Sequence, residues 1–340
     1  MTLQKYISAL CDTLWKTLRT WWLNYFLPTA CQQQAGRQRT QSKLTKVTKS
    51  FYVVIPITLL IVSCEKNITV KIPKASEEIV VEGIIETDTI AVVFLSRTLP
   101  FFGQINTSEI LLNSIIGATV IVDDGTTFDT LLQINPLYGI YFGTTIRGTP
   151  GKKYRLTVIA GGKTLHSITS IPQTVKLDSV WWKPDGRRDS LGFAWAHLTD
   201  PDTIGNCYRW FAQRINHYTY GEDKGKIKDS TFIPAPGSAF DDKFINMKSF
   251  DFSFPRGKFQ FSNKKDDSNN EQFLFKRGDT IVVKFCSIDR AHFEFWRTEE
   301  TQVRNNGNPF GSPAPILSNI EGGLGIWGGY APSYDTIIAR

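Results

Sequence analysis

Histidine is scarce in this chain of 340 residues, which contains only four. They are scattered, as His166, His197, His217 and His292, and none has the close spacing of a zinc-binding pair. The G-x-S-x-G motif of serine hydrolases, the H-E-x-x-H motif of zinc proteases and the G-x-x-x-x-G-K phosphate-binding motif are absent. The sequence therefore predicts a protein that is not an enzyme and that uses no cofactor.

A long hydrophobic run is also missing. The longest apolar stretch, residues 51–62, would span only ~18 Å as a helix, well short of a ~30 Å hydrocarbon core. Three lysines between residues 43 and 49 precede it, and Ser63 and Cys64 follow it. A basic segment, a short apolar segment and a small residue before the cut are typical of a secretory signal. The sequence predicts that residues 43–63 are a lipoprotein signal peptide.

The residues at the predicted cut, Ile61-Val62-Ser63-Cys64, resemble a lipobox, the recognition site of bacterial lipoprotein signal peptidase. In that interpretation Cys64 becomes the first residue of the mature protein and carries diacylglycerol on sulfur and an acyl chain such as palmitate on nitrogen. Several acyl chains on one residue anchor a protein stably. Two alternatives remain open, a chance cysteine after a different kind of signal and a buried apolar strand.

Residues 1–42 are longer than the basic part of a signal needs to be, and we expect an over-extended start or an unstructured segment.

The net charge of +7 also belongs to the N-terminal part of the chain. Residues 1–64 hold eight of the 39 basic residues and one of the 32 acidic residues, which leaves 31 of each sign in the remainder. A neutral mature body has no phosphate-tracking field, so nucleic acid is excluded as a partner.

The first half of the mature chain has a β pattern. Val- and Ile-rich runs at residues 79–85 and 90–95 are separated by polar turn residues. Tyr154, Leu156 and Val158 alternate with polar residues at the two-residue period of a half-buried strand. The sequence predicts a tether over residues 64–75 and a β-sandwich domain over residues 76–173.

The second half has a different composition, because all six tryptophans of the mature chain follow residue 180. Strand-like runs recur there, and the polar stretches 221–230 and 262–271 indicate surface loops. Residues 289–301 form the one predicted helix. With a boundary near Thr174, the sequence predicts a second, larger β-rich domain with long loops over residues 174–340.

Several motifs carry a family resemblance. In the first half they are Gly117-Ala118-Thr119-Val120, Asp124-Gly125, Tyr138-Gly139 and Pro150-Gly151-x-x-Tyr154-x-Leu156, which resemble an immunoglobulin-like or transthyretin-like module. In the second half they are Asn206-Cys207-Tyr208-Arg209-Trp210 and the stretches 240–246, 278–283 and 318–330. In this order after a lipobox, they resemble the domain of unknown function 4249 family of Bacteroidota outer-membrane lipoproteins, over about residues 64–335.

The resemblance implies a location and a class of partner. Such proteins are often encoded beside TonB-dependent receptors, which implies a non-catalytic accessory role in nutrient uptake at the outer membrane. The periplasmic or cell-surface face stays open, as does the ligand. Two other classes remain as alternatives, an envelope hydrolase with an unrecognised site and a surface structural or adhesive protein.

Five aromatic residues are candidates for a ligand or partner surface. Trp181 and Trp182 follow the predicted boundary and could line an interdomain cleft, or else plug the junction. Phe310, Trp327 and Tyr330 lie in a stretch rich in glycine and proline, where aromatic side chains could contact a partner. The alternative is that this stretch is a loop that closes the second domain.

Two further sites are candidates for structural chemistry. The adjacent carboxylates of Asp241 and Asp242 could hold Ca²⁺, although turn formation is the alternative. With Cys64 acylated, Cys207 and Cys286 are the thiols left in the mature protein. Because the cell envelope is oxidising, the sequence predicts a disulfide between them, with two buried free thiols as the alternative.

Overall fold

The computed structural model describes residues 77–98, 113–135, 138–257, 271, 273–305 and 315–340. These residues form one α-helix, α1 (Arg290–Asn305), one 3-10 turn (Asp242–Phe244) and sixteen strands. The strands are β1 (Ile79–Glu86), β2 (Ile90–Arg97), β3 (Thr119–Asp123), β4 (Phe128–Thr130), β5 (Leu132–Gln133), β6 (Ile140–Arg147), β7 (Lys153–Ala160), β8 (Lys163–Ser170), β9 (Ser179–Pro184), β10 (Leu191–Thr199), β11 (Cys207–Arg214), β12 (Ile233–Asp241), β13 (Ser249–Phe254), β14 (Phe275–Lys276), β15 (Thr280–Ile288) and β16 (Leu324–Ile338).

An eight-stranded sheet runs through the described part of the chain, in the order β12-β11-β15-β16-β1-β2-β6-β5. Its centre is the last strand, β16, which pairs antiparallel with β15 and parallel with β1. The parallel pairing joins Val80 to Leu324 and Glu86 to Tyr330. Strands from both ends of the chain therefore lie side by side in the middle of the molecule.

The first sandwich forms where a four-stranded sheet, β4-β3-β7-β8, packs on one half of the large sheet. Strand β7 alternates buried and exposed residues, and its Tyr154, Leu156 and Val158 enter the core, as the sequence pattern predicts. Opposite them lie side chains of β1 and β2 and, from the far end of the chain, Trp327 and Ala331. The hydrophobic core of the first sandwich therefore needs β16.

The second sandwich uses the other half of the same large sheet. A smaller sheet, in which β10 pairs with β9, β13 and β14, covers the inner side of β11 and β15. Tyr208 and Trp210 of β11 belong to this core, whereas Cys207 before them and Phe211 after them face the opposite side of the sheet. Helix α1 packs on that opposite side, against Tyr330 among others.

The mainly β fold with sandwich architecture, predicted from sequence, is confirmed. The predicted boundary near Thr174 lies between β8 and β9, but the structure corrects the division into consecutive domains, because β16 completes the first sandwich from the far end of the chain. The predicted helix at 289–301 is α1, and Asp289 caps it by accepting a hydrogen bond from His292 N (2.9 Å). No helix among the described residues is long and apolar enough to cross a membrane.

Candidate functional site

Trp327 and Tyr330 are buried, with relative exposures of 0% and 4%, so the structure corrects their assignment to a partner surface. Trp327 lies in the core of the first sandwich, where its indole nitrogen donates to Tyr154 O (3.0 Å). It also packs directly over Gly83, where a Cβ atom would lie 2.6 Å from Trp327 Cε3. The part of this stretch from Gly325 to Tyr330 is a buried section of strand β16 rather than an exposed loop.

Two predicted site residues lie outside the described residues. These are Phe310, proposed from sequence as a partner contact, and Cys64, the predicted lipidation site. The predictions for both residues stand as they were made.

A cluster of charged and aromatic side chains lies between the large sheet and α1. At its centre is Arg209 of β11, which is 4% exposed. Its guanidinium donates to Tyr330 Oη (2.8 Å) and stacks on the ring of Trp296, with 3.4 Å from Cζ to the ring centroid. The centroid of the Phe211 ring lies 4.9 Å from Arg209 Cζ. This stacking lets the core accommodate a guanidinium.

The carboxyl groups around Arg209 have perturbed acidities. Burial raises the pKa of Glu82 to about 8, against the opposing effect of Arg209, and Oε2 of Glu82 is buried without a hydrogen-bond partner. Burial likewise raises the pKa of Glu299 in α1 to about 7. Carboxyl groups that titrate near neutral pH are typical of functional sites, and also of buried ionic networks. Here α1 covers the cluster, and Glu299 itself is 8% exposed.

Cys207 and Cys286 are free and buried, which corrects the predicted disulfide. The two residues lie on paired strands, but Cys207 is opposite Ile288 and Cys286 is opposite Arg209. Diagonal neighbours of this kind have Cα atoms ~7–8 Å apart, beyond the usual limit of ~6.8 Å for a disulfide. Burial raises the pKa of both thiols to about 12, which suppresses the reactive thiolate.

Asp241 and Asp242 have separate roles. Asp241 forms an ion pair with Arg290 at the start of α1 (2.7 Å). Asp242 is 2% exposed, and its Oδ2 accepts hydrogen bonds from Gly205 N (2.7 Å) and Asn206 N (2.8 Å). The second carboxylate therefore joins two loops, as the turn interpretation predicts. No group of three or more His, Cys, Asp or Glu side chains suited to a metal ion occurs among the described residues.

Trp181 and Trp182 point to opposite sides of β9. Trp182 is half-buried and packs against the core of the second sandwich. Trp181 is half-buried on the outer side and stacks on Trp195 of β10, with ring centroids 6.3 Å apart and an interplanar angle of 20°. Phe193 is two residues before Trp195 on the same side of β10, and is also half-buried. We call Trp181, Phe193 and Trp195 the aromatic face.

Polar groups border the aromatic face. The ammonium group of Lys183 lies 5.3 Å from the centroid of the Trp195 ring. On the far side of Trp195, His197 and Asp251 are linked at 2.6 Å between Nδ1 and Oδ1. Half-exposed stacked aromatic rings with charged neighbours can contact either a protein or a sugar ring.

Sequence reasoning missed Trp195 and Arg209. The signal for Trp195 was present, because Phe193, Trp195 and His197 alternate with small or aliphatic residues along one strand. Which side of that strand faces solvent depends on its partner sheet. The burial of Arg209 had no local signal, because the Trp296 ring and the Tyr330 hydroxyl that contact it come from α1 and β16.

Comparison with known proteins shows a family and a likeness to solved structures. The model of the family described as "Domain of unknown function (DUF4249)" matches residues 65–335. No curated protein matches the chain. Among solved structures, the chain is similar to a segment of two fibronectin type-III domains from chicken tenascin, with 10% identity, coverage of 77% of this chain and 99% of that one, and a TM-score of 0.20. The pairing of the strands itself establishes the sandwich architecture.

Proposed function

This chain belongs to the DUF4249 family, and on that premise we propose that it is a lipid-anchored, non-catalytic outer-membrane protein that assists a TonB-dependent receptor in nutrient uptake. The observation that carries the proposal is the half-exposed stacked pair of Trp181 and Trp195 on a β-sandwich scaffold. The partner class comes from the family resemblance. The aromatic face supplies a surface where such a partner can bind.

The arrangement of ionisable groups supports a binding role over a catalytic one. The carboxyl groups with strongly raised pKa values, Glu82 and Glu299, belong to the cluster under α1. A substrate would have to displace the helix to reach them. The aromatic face, in contrast, lies on the outer side of its sheet and is partly exposed, and tryptophan is enriched among residues that dominate interface energies.

Lipidation of Cys64 is the first expected result. Mass spectrometry of protein extracted from native membranes should find the mature N-terminus at Cys64 with added acyl mass, because the basic, apolar and Ser-Cys segments together form the signal. Changing Cys64 to serine should abolish the acylated form. A soluble protein with an unmodified Cys64, or a cut elsewhere, would contradict the proposed anchor.

Binding to the receptor is the second expected result. The double variant Trp181→Ala/Trp195→Ala should reduce co-purification of a TonB-dependent receptor by about tenfold or more, since loss of a tryptophan hot spot costs about 2 kcal/mol or more. Co-purification from native membranes, with identification of the bound proteins, measures this. Phe128→Ala is the matched control, because Phe128 is 72% exposed in a different sheet.

The two ways in which this experiment can fail have different meanings. If the double variant is folded and co-purifies the receptor at wild-type yield, the aromatic face is not the contact surface. If the wild-type protein never brings down a receptor, the proposed partnership is wrong. The hydrolase and the adhesive protein then become the leading hypotheses.

A further inference from the structure

Three large apolar side chains extend into solvent from two adjacent loops of the second sandwich. Ile204, between β10 and β11, is 91% exposed, and Phe244 and Met247, between β12 and β13, are 76% and 62% exposed. We call these three residues the loop tip. Exposure of three large apolar side chains on two neighbouring loops is unusual unless another surface covers them.

The backbone beneath the loop tip is held in place. Asp242 N donates to Asn206 O (3.0 Å), and the Asp242 carboxylate accepts from the backbone of Gly205 and Asn206. Asp242 O in turn accepts from Ile245 N and Asn246 N, both at 2.9 Å. These backbone groups are therefore already paired. Because these groups are paired within the protein, moving the loops into a less polar environment would not leave them without hydrogen-bond partners.

Basic residues border the loop tip. Lys243 and Lys248 are both exposed, and Lys248 Nζ donates to Phe244 O (2.8 Å). Asp202 is an exposed acid on the neighbouring loop, and Asp241 is paired with Arg290. With Asp242 and Arg290 counted as well, the formal charges of these residues are equal. The two exposed lysines lie beside the apolar side chains, where they can meet lipid phosphates. Apolar side chains flanked by lysines match the boundary of an anionic bilayer, with acyl chains below and phosphates around.

The loop tip projects from β11 in the direction in which β1 begins, but the start of β1 lies seven residues, about 23 Å, beyond the level of Cys207. Cys207, Ile288, Tyr330 and Glu86 lie at one level across β11, β15, β16 and β1. The chain enters β11 from the side on which β1 begins at Ile79. Three strand spacings, about 14 Å, separate β11 from β1. The opposite end of the sheet carries the loop after Arg214, which includes Tyr220.

We propose that the loop tip inserts into the surface of the bilayer that holds the acyl chains of Cys64 and so fixes the orientation of the body on the membrane. This inference rests on the lipid anchor of the proposed function. The thirteen steps from Cys64 to Glu77 can extend to at most about 45 Å, which is long enough to let the body tilt until the loop tip meets the bilayer. The lipid anchor and the inserted loop tip together restrain the orientation of the body on the membrane, which a flexible tether alone would leave free.

A label sensitive to its environment tests the proposal. The lipidated protein carries an NBD fluorophore on Met247→Cys or, as the matched control, on Tyr220→Cys, which is 85% exposed at the opposite end of the sheet. The native Cys207 and Cys286 are buried and compete little for the label. In vesicles of phosphatidylethanolamine with a minority of phosphatidylglycerol, emission at position 247 should rise several-fold and shift to the blue. Emission at position 220 should stay as in water.

A second variant separates the loop tip from the anchor. Ile204→Ser/Phe244→Ser, labelled at position 247, should float with vesicles as before but lose the rise in emission. Equal emission at positions 247 and 220 in the wild-type background overturns the proposal. A label at position 247 that emits as in water when vesicles are present, and is protected only in native membranes, also overturns the proposal. That result indicates a protein partner. Tethering the chain from residue 65 onward to nickel-chelating lipid through a hexahistidine tag tests insertion even if Cys64 carries no lipid.

Discussion

Trp327→Ala is expected to lower the free energy of unfolding by about 3–5 kcal/mol, the range for truncation of a buried tryptophan. The side chain is fully buried in the first sandwich, and the substitution also leaves Tyr154 O without the indole donor. Since domains are stable by only about 5–15 kcal/mol, the loss is a large fraction of the total. Urea denaturation of the purified protein, followed by far-UV circular dichroism, measures it.

Two control variants make this result specific. Trp327→Phe keeps most of the ring and loses the hydrogen bond, so its cost should be clearly smaller. Trp181→Ala removes a half-exposed tryptophan and should cost about 1 kcal/mol or less. A Trp327→Ala protein with the urea midpoint of the wild type would contradict the buried position. Trp327 would then return to the partner surface that the sequence indicates.

Glu82→Gln is expected to make the protein more stable than the wild type by about 4–5 kcal/mol near pH 8.5. Burial raises the pKa of Glu82 from 4.5 to about 8 in the folded protein. Between these two values the folded state keeps a proton that the unfolded state releases, so the contribution of Glu82 to stability is complete below pH 4.5 and is lost as the pH rises through 8. Glutamine keeps the shape of the protonated form and has no proton to lose.

The measurement is urea denaturation between pH 5 and pH 9. The wild type should lose stability with rising pH, and Glu82→Gln should have a shallower slope. The slope that remains belongs in part to Glu299, whose pKa is raised in the same direction. Glu86→Gln is the control on the same strand, because Glu86 is ion-paired with the buried Lys284. That substitution should destabilise the protein at neutral pH, since it leaves a buried ammonium group unpaired. Equal pH slopes for Glu82→Gln and the wild type would contradict a protonated Glu82.

Local sequence patterns predicted most of the strands and the helix. The run at residues 79–85 corresponds to β1 (Ile79–Glu86), and the alternation of Tyr154, Leu156 and Val158 lies in β7. The helix begins one residue after its predicted start. These features are predictable because side chains alternate across a strand with a period of two and around a helix with a period of 3.6. Both periodic patterns can be recognised from residues that are close together in the chain.

The position of β16 was not predictable in this way. Its glycine-rich start was interpreted as an exposed loop, and glycine does permit such loops. In the structure, glycine is needed there for close packing, because a Cβ on Gly328 would lie 2.4 Å from the His292 ring and one on Gly329 would lie 2.5 Å from Ser170 O. Composition does not distinguish a glycine that bends freely from one that another element covers.

The sequence by itself determined the basic, apolar and Ser-Cys segments of the predicted signal, the neutral charge of the mature body and the β character of both halves, because each of these depends on residues close together in the chain. The tertiary structure alone decided that Trp327 and Tyr330 are core residues, that Cys207 and Cys286 are out of register for a disulfide, and that Trp181 stacks on Trp195. Each of these depends on which strands pair and which face is covered. Those contacts join residues far apart in the chain, in the case of β1 and β16 across more than 240 positions, and no local pattern records them.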